Sequence, residues 1–151
     1  MKKLKLYLDV CCFNRPFDDQ GTDTVRLEAE AVIRIVNHVQ MNEYDIVGSE
    51  VIDYEIDRMD NPLKKEKVKE LSLIRKRHIQ VEEAVIERAG KISGLGFGAY
   101  DALHSACAEK GRVDVFLTTD KKLLRSAERH QRELAVWVTN PLPWLMGEKE
   151  E

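Results

Sequence analysis

The chain has 151 residues, of which 43% are hydrophobic and 34% charged, with a formal net charge of -3. Those figures suit one domain with its own core rather than two, and they carry no global basic signature for nucleic acid, so any such binding must come from a local patch. No apolar run nears the roughly 18 residues that span a bilayer. The opening "MKKLKLYLDV" turns acidic before a signal-peptide apolar region forms, and a cytoplasmic protein is expected.

Residues 4–8, "LKLYL", are mostly apolar and predict a parallel strand covered on both faces, ending at Asp9. The following "CCFNRPFDDQG" contains Asn14, Pro16 and Gly21, which oppose regular structure, and reads as a loop. Apolar residues at spacings of three and four, Val25, Ala29, Val32, Ile33, Val36 and Val39, predict an amphipathic helix over residues 23–41. "YDIVG" predicts a short strand, and Ser49 caps a helix over residues 50–59 with Glu50 at its positive end. Pro62 opens a lysine-rich helix running to about residue 78, followed by a short strand at residues 79–81. "EEAVIERAGKIS" is a helix stopped by "GLGFG", and "AYDALHSACAEKG" is a helix with a glycine stop. "VDVFLTT" predicts a strand, residues 121–132 a helix and "LAVWV" a last strand, before the proline-broken tail "NPLPWLMGEKEE", frayed after Trp144. Alternating strands and helices predict an α/β fold with a central, mainly parallel sheet and right-handed crossovers, over residues 1–140 with 141–151 as tail.

Asp9 and Asp120 both end strands, where open parallel sheets form their sites. Glu55 lies four residues after Val51 and three after Ile52, so it shares their apolar face. A carboxylate there needs a partner, either Arg58 or another base, or a metal. Asp101 stands in a first turn, where it either complements the helix dipole or, carried by small neighbouring residues close to the sheet, meets the strand ends. Carboxylates that converge without matching cations repel, and a hard divalent ion such as Mg2+ or Mn2+ relieves them and activates water for phosphodiester hydrolysis. Thr118, two residues before Asp120, is placed to bond a metal water or a phosphate.

"LYLDV", "SEVIDYE", "YDALHSACA" and "LTTD", in this order and spacing, resemble the acidic signature of PIN-domain ribonucleases from residue 4 to about residue 138. The resemblance implies a three-layer α/β/α sandwich and Mg2+- or Mn2+-dependent cleavage of RNA. It makes Asp9 and Asp101 the principal metal ligands, with Glu55 and Asp120 completing the catalytic cluster. Many small members are VapC-like toxins of toxin–antitoxin pairs, dimeric and inhibited by an antitoxin, so a homodimer and an antitoxin are implied partners. Where many members carry Thr or Ser after the first acid, this chain has Val10, Cys11 and Cys12, so Asn14 is assigned that loop's polar contact. Glu50 rivals Glu55 as the second acid.

Arg15 is the phosphate contact nearest the proposed site, and residues 64–78, "KKEKVKELSLIRKRH", form a local basic segment that is either a phosphate contact or a solvated face. His104 reads as a surface hydrogen-bonding residue one turn beyond Asp101. Cys11, Cys12 and Cys107 suit neither a disulfide framework nor a tetrahedral zinc site and read as small buried hydrophobes. No nucleophile elbow or Walker pattern is present, and "GLGFG" follows a helix instead of a strand.

Overall fold

The computed structural model describes residues 3–147. Five parallel strands, β1 (Leu4–Leu8), β2 (Tyr44–Ser49), β3 (Arg77–Ile79), β4 (Val115–Leu117) and β5 (Val138–Thr139), lie in the order β3-β2-β1-β4-β5. Eight helices flank them: α1 (Val10–Asn14), α2 (Asp23–Gln40), α3 (Glu50–Asp57), α4 (Pro62–Ser72), α5 (Glu83–Ser93), α6 (Ala99–Lys110), α7 (Lys121–Arg129) and α8 (Pro141–Met146). This is the expected α/β/α arrangement with a parallel central sheet. β1 is central, pairing Leu6 with Ile46 on one side and with Val115 on the other. Strands on both edges and helices on both faces leave Leu6, Tyr7 and Leu8 no route to water, which is why the strand reads as an unbroken apolar run.

From β1 the chain builds outward to β2 and β3, then returns to β4 on the opposite side and continues to β5. The direction of winding therefore reverses between β1 and β4, and the carboxyl ends of those two strands open the crevice where doubly wound sheets bind ligands. Asp9 N donates to Leu117 O at 3.0 Å, carrying the pairing of the two strands to the rim of that crevice.

Several boundaries differ from the sequence reading. The supposed loop after Asp9 is helical, because Asp9 caps α1 and Pro16 opens a 3-10 turn at Arg15–Phe17. The lysine-rich helix stops at Ser72, since Arg77–Ile79 is drawn into the sheet beside Val47 to Ser49. A side chain at Gly48 would meet Arg75 Cδ at 2.5 Å, so a glycine there lets Arg75 cross β2. In α2 the buried stripe is Ala29, Ala31, Val32, Ile35 and Val36, whereas Ile33 is exposed. That stripe is the one covered when α2 packs on β2, α1 and α8 together. The expected tail thus begins as a helix whose Trp144 is 2% exposed, edge-on to Tyr44 at 5.6 Å. Pro141 and Pro143 sit in its first turn, where a missing amide costs nothing, and Asn140 Oδ1 caps it by accepting from Leu142 N at 2.8 Å. The tail's last residues, 148–151, lie outside the described residues.

Candidate functional site

Asp9 is 7% exposed at the carboxyl end of β1. Its Oδ1 accepts from Val10 N at 2.8 Å, which starts α1, and its Oδ2 accepts from Thr118 Oγ1 at 2.8 Å. Thr118 is wholly buried, and its hydroxyl also accepts from Asp120 N at 3.1 Å. The threonine therefore fixes the Asp9 carboxylate in place, with no exposed surface of its own to offer a substrate. Asp120 is exposed and caps α7 through Oδ1, which accepts from Lys122 N at 2.9 Å and Leu123 N at 3.3 Å.

The partner of Glu55 is His104 rather than Arg58. His104 is 1% exposed, which overturns its reading as a surface residue. Its Nε2 bonds Glu55 Oε1 and lies 3.6 Å from Asp9 Oδ1, and its Nδ1 is 2.7 Å from Tyr7 Oη, which is 2.7 Å from Ser49 Oγ. One hydrogen-bonded chain thus runs from the cap of α3 through β1 to the Glu55 carboxylate, with Asp9 in ion-pair range of the same imidazole. Ligand atoms of Asp9, Glu55 and His104 lie within 4.8 Å of one another, a group that can hold a metal ion. Burial by itself lowers the His104 pKa, but the Glu55 hydrogen bond and the charges of Asp9, Glu55 and Asp101 outweigh it, and the net shift is upward.

Asp101 rises one turn before His104 on α6. Its pKa is pushed up to about 6 by burial first and then by the Asp9 and Asp120 carboxylates, against a smaller opposing effect of His104. The fold has therefore gathered Asp9, Asp101 and Asp120 within electrostatic reach, with Glu55 a lesser member of the same field. α6 can approach this closely because Ala102, Ser105, Ala106, Cys107 and Ala108 are small, and all of them are buried.

No family model and no curated protein matches the sequence. Among solved structures, the chain is similar to one in the crystal structure of VapBC2 from Rickettsia felis bound to a DNA fragment from their promoter. The likeness is one of fold. The TM-score is 0.54 across 91% of this chain and 98% of that chain, at 12% identity.

The remaining expected residues stand apart from the acids. Arg15 is engaged by two carboxylates, Nε donating to Glu28 Oε1 and Nη1 to Asp18 Oδ2, both at 2.8 Å, and Glu28 also accepts from Asn140 Nδ2 at 2.7 Å. Its charge is thereby neutralised within the protein, which removes the reason for choosing it as a phosphate contact. Asn14 Oδ1 is buried without a hydrogen-bond partner among the described residues, so its amide retains capacity for one. Glu50 is ruled out as the second acid by direction: its Oε1 accepts from Val81 N at 2.5 Å. In the basic segment, Lys64 pairs with Asp18, Arg75 and His78 with Asp53, and Lys76 with Asp45, and the segment is split between a helix and a strand. Lys65, Lys67, Lys69 and Arg77 have no carboxylate partner among the described residues, so the segment is a solvated face that is paired only in part. Cys12 and Cys107 are buried, and burial raises both thiols, Cys107 to about 11.

Reading the sequence alone missed His104, Tyr7 and Ser49. The signal for His104 was its position three residues after Asp101, which puts both on one helix face. For Tyr7 it was a phenol inside an otherwise aliphatic strand, since a buried hydroxyl requires a partner. Lys121 and Lys122 were missed as well. Both are exposed in the first turn of α7, where the helix dipole disfavours cations, immediately after Asp120, and neither has a carboxylate partner among the described residues.

Proposed function

We propose that the protein is a metal-dependent endoribonuclease, the toxin of a toxin–antitoxin pair or a relative of one. The observation that carries this reading is the convergence of Asp9, Glu55 and His104 within 4.8 Å, beside an Asp101 that burial and then the Asp9 and Asp120 charges raise to about 6. Carboxylates forced together at a sheet's ligand crevice suit a hard divalent cation, and an imidazole in the same group suits Mn2+ at least as well as Mg2+. Asp9, Glu55 and Asp101 would hold it, with His104 at their side. A bound Mg2+ or Mn2+ supplies an activated water and neutralises charge at the scissile phosphate.

The protein's own residues would do the rest. Thr118 keeps Asp9 from turning away, and the Tyr7–His104 chain does the same for Glu55. Asp101, buried and crowded by Asp9 and Asp120, would be relieved by the cation it helps to hold. Lys121 and Lys122 flank the crevice with unpaired positive charge for the RNA backbone. An antitoxin and a homodimer belong to the same reading, supported by the fold's likeness to a chain of VapBC2. None of the helices among the described residues is long and apolar enough to cross a membrane, which accords with work in the cytoplasm.

One observation favours a second reading. His104, lying against both Asp9 and Glu55 with a raised pKa, can neutralise them with a proton in place of a metal. The domain would then be a catalytically inactive PIN-fold module that binds RNA or a protein. Cleavage of a mixed single-stranded RNA in EDTA, Mg2+ and Mn2+, beside Asp9→Asn and Asp101→Asn, separates the two. Metal-dependent cleavage lost in both variants supports the nuclease; cleavage unchanged in either, at equal purity, defeats it.

A further inference from the structure

Next to the acids lies an aromatic surface that the sequence reading left unused. The rings of Tyr54 and Tyr100 stack with centroids 6.1 Å apart and planes inclined by 25°. They are nevertheless 48% and 42% exposed, so the pair is accessible from solvent. The guanidinium of Arg58 sits 5.4 Å from the Tyr54 centroid, and its Nη1 donates to Tyr54 Oη at 3.1 Å. Arg58 has no carboxylate partner among the described residues, in contrast to Lys64, Arg75 and Lys76 of the 64–78 segment. The rings line an open groove of about 570 Å3 with Glu50, Val51, Val81 and Leu103. Tyr54 directly precedes Glu55, and Tyr100 directly precedes Asp101.

We infer that Tyr54, Tyr100 and Arg58 form a stacking platform for an unpaired base of single-stranded RNA, one step along the strand from the phosphate held at the acids. The inference rests on the nuclease reading for its substrate. Three features select a nucleobase over a second copy of the chain. The two rings are already held within 25° of one another, so a further ring extends the stack with little loss of side-chain freedom. The cation on the stack is unpaired, which attracts an anionic strand and strengthens contact with a π system. The position, on α3 and α6 directly before Glu55 and Asp101, puts the platform on the two helices that carry those acids, which pack on one another. A duplex cannot use such a platform, because its bases are stacked on one another.

The test uses a single-stranded RNA carrying one 2-aminopurine, titrated with the protein in EDTA and again in Ca2+, alongside Tyr54→Leu, Tyr100→Leu, Tyr54→Phe and Tyr100→Phe. Leucine keeps an apolar side chain and the fold while removing the ring; phenylalanine keeps the ring. Binding with a change in 2-aminopurine fluorescence is expected for the parent protein, with a loss of about 5- to 150-fold in the leucine variants. The phenylalanine variants should stay within about twofold, since stacking needs only the ring, and a duplex of the same sequence should not distinguish the variants. Leucine variants that bind the single strand like the parent, or a parent that binds no single strand, would overturn the platform. Leucine variants that change the sedimentation coefficient but not RNA binding would overturn it too, assigning the face to contact between copies. Cleavage in Mn2+ is scored separately: binding that needs the rings without any cleavage sinks the nuclease and leaves the platform, whereas cleavage with an unaltered KM in the leucine variants does the reverse.

Discussion

Thr118→Val is the sharpest test of how the site is held. The substitution preserves shape and removes one fully buried hydroxyl with three partners: it donates to Asp9 Oδ2 at 2.8 Å, accepts from Asp120 N at 3.1 Å and makes a weaker contact with Cys11 Sγ at 3.4 Å. A hydrogen bond to a charged group contributes about 1.5–3 kcal/mol, and an amide left without a partner costs about 1 kcal/mol or more. The expected loss is therefore about 3 kcal/mol, or a fall in Tm of about 6–12 °C for a domain of this size. Thr118→Ser keeps the hydroxyl and loses one buried methyl, for about 1 kcal/mol. Thermal and urea unfolding in EDTA measure both without reference to activity. A valine variant within about 0.5 kcal/mol of the parent, or less damaged than the serine variant, would refute the claim that Thr118 orients Asp9. If the claim holds, the valine variant should also bind Mn2+ about 10- to 100-fold more weakly by calorimetry, the usual cost of freeing a ligand from its outer support.

Asp101→Asn should stabilise the metal-free protein at pH 7. A folded-state pKa raised to about 6 makes the folded state hold a proton that the unfolded chain releases, so parent stability falls as pH climbs from about 4 to about 6, and the variant should lack that fall, worth on the order of 2 kcal/mol after solvent screening. Urea midpoints across that range check it; parallel curves would contradict the electrostatic picture. His104→Gln should show the opposite sign. A raised histidine pKa gives stability that is complete below the unfolded value of about 6.5 and is lost as pH rises through the higher folded value, so the deficit of the variant should shrink toward alkaline pH. Trp144→Ala should cost about 3–5 kcal/mol by urea unfolding if α8 is part of the core, and almost nothing if it is a tail. Iodoacetamide at pH 8 should leave Cys12 and Cys107 unmodified in the native protein and alkylate them on unfolding, as read by mass spectrometry.

The local chemistry of the chain was sufficient for the elements whose causes are local. The apolar run before Asp9, the Ser49 cap, Pro62 at a helix start and the glycine after Lys110 each act within a few residues, and each element formed where those residues stand. It was insufficient where a distant segment decides. Residues 73–78 carry no helix breaker, yet Arg77 leaves the helix because β2 offers an unpaired edge. Ile33 and Ile35 are equally apolar, and only the packing of α2 on β2, α1 and α8 settles which one is buried. Phe116 pairs with Val138, so most of "LAVWV" lies before the short β5 that the sheet accepts.

The site divides in the same way. That Asp9, Glu55, Asp101 and Asp120 belong to one crevice was implied by the order of strands and helices, since acids at strand ends and on sheet-facing helices have few places to go. Their separate employments come from tertiary contact alone. Asp120 turned to the amides of α7, Glu55 found His104 across 49 positions of sequence, and Arg15 was claimed by Glu28. A side chain's partner is whatever the fold brings within about 3 Å, and spacing along the chain specifies that only for neighbours on the same element. The sequence by itself determined the elements and the acids; packing decided which acid caps, which one a histidine holds, and which stays crowded enough to titrate near neutrality.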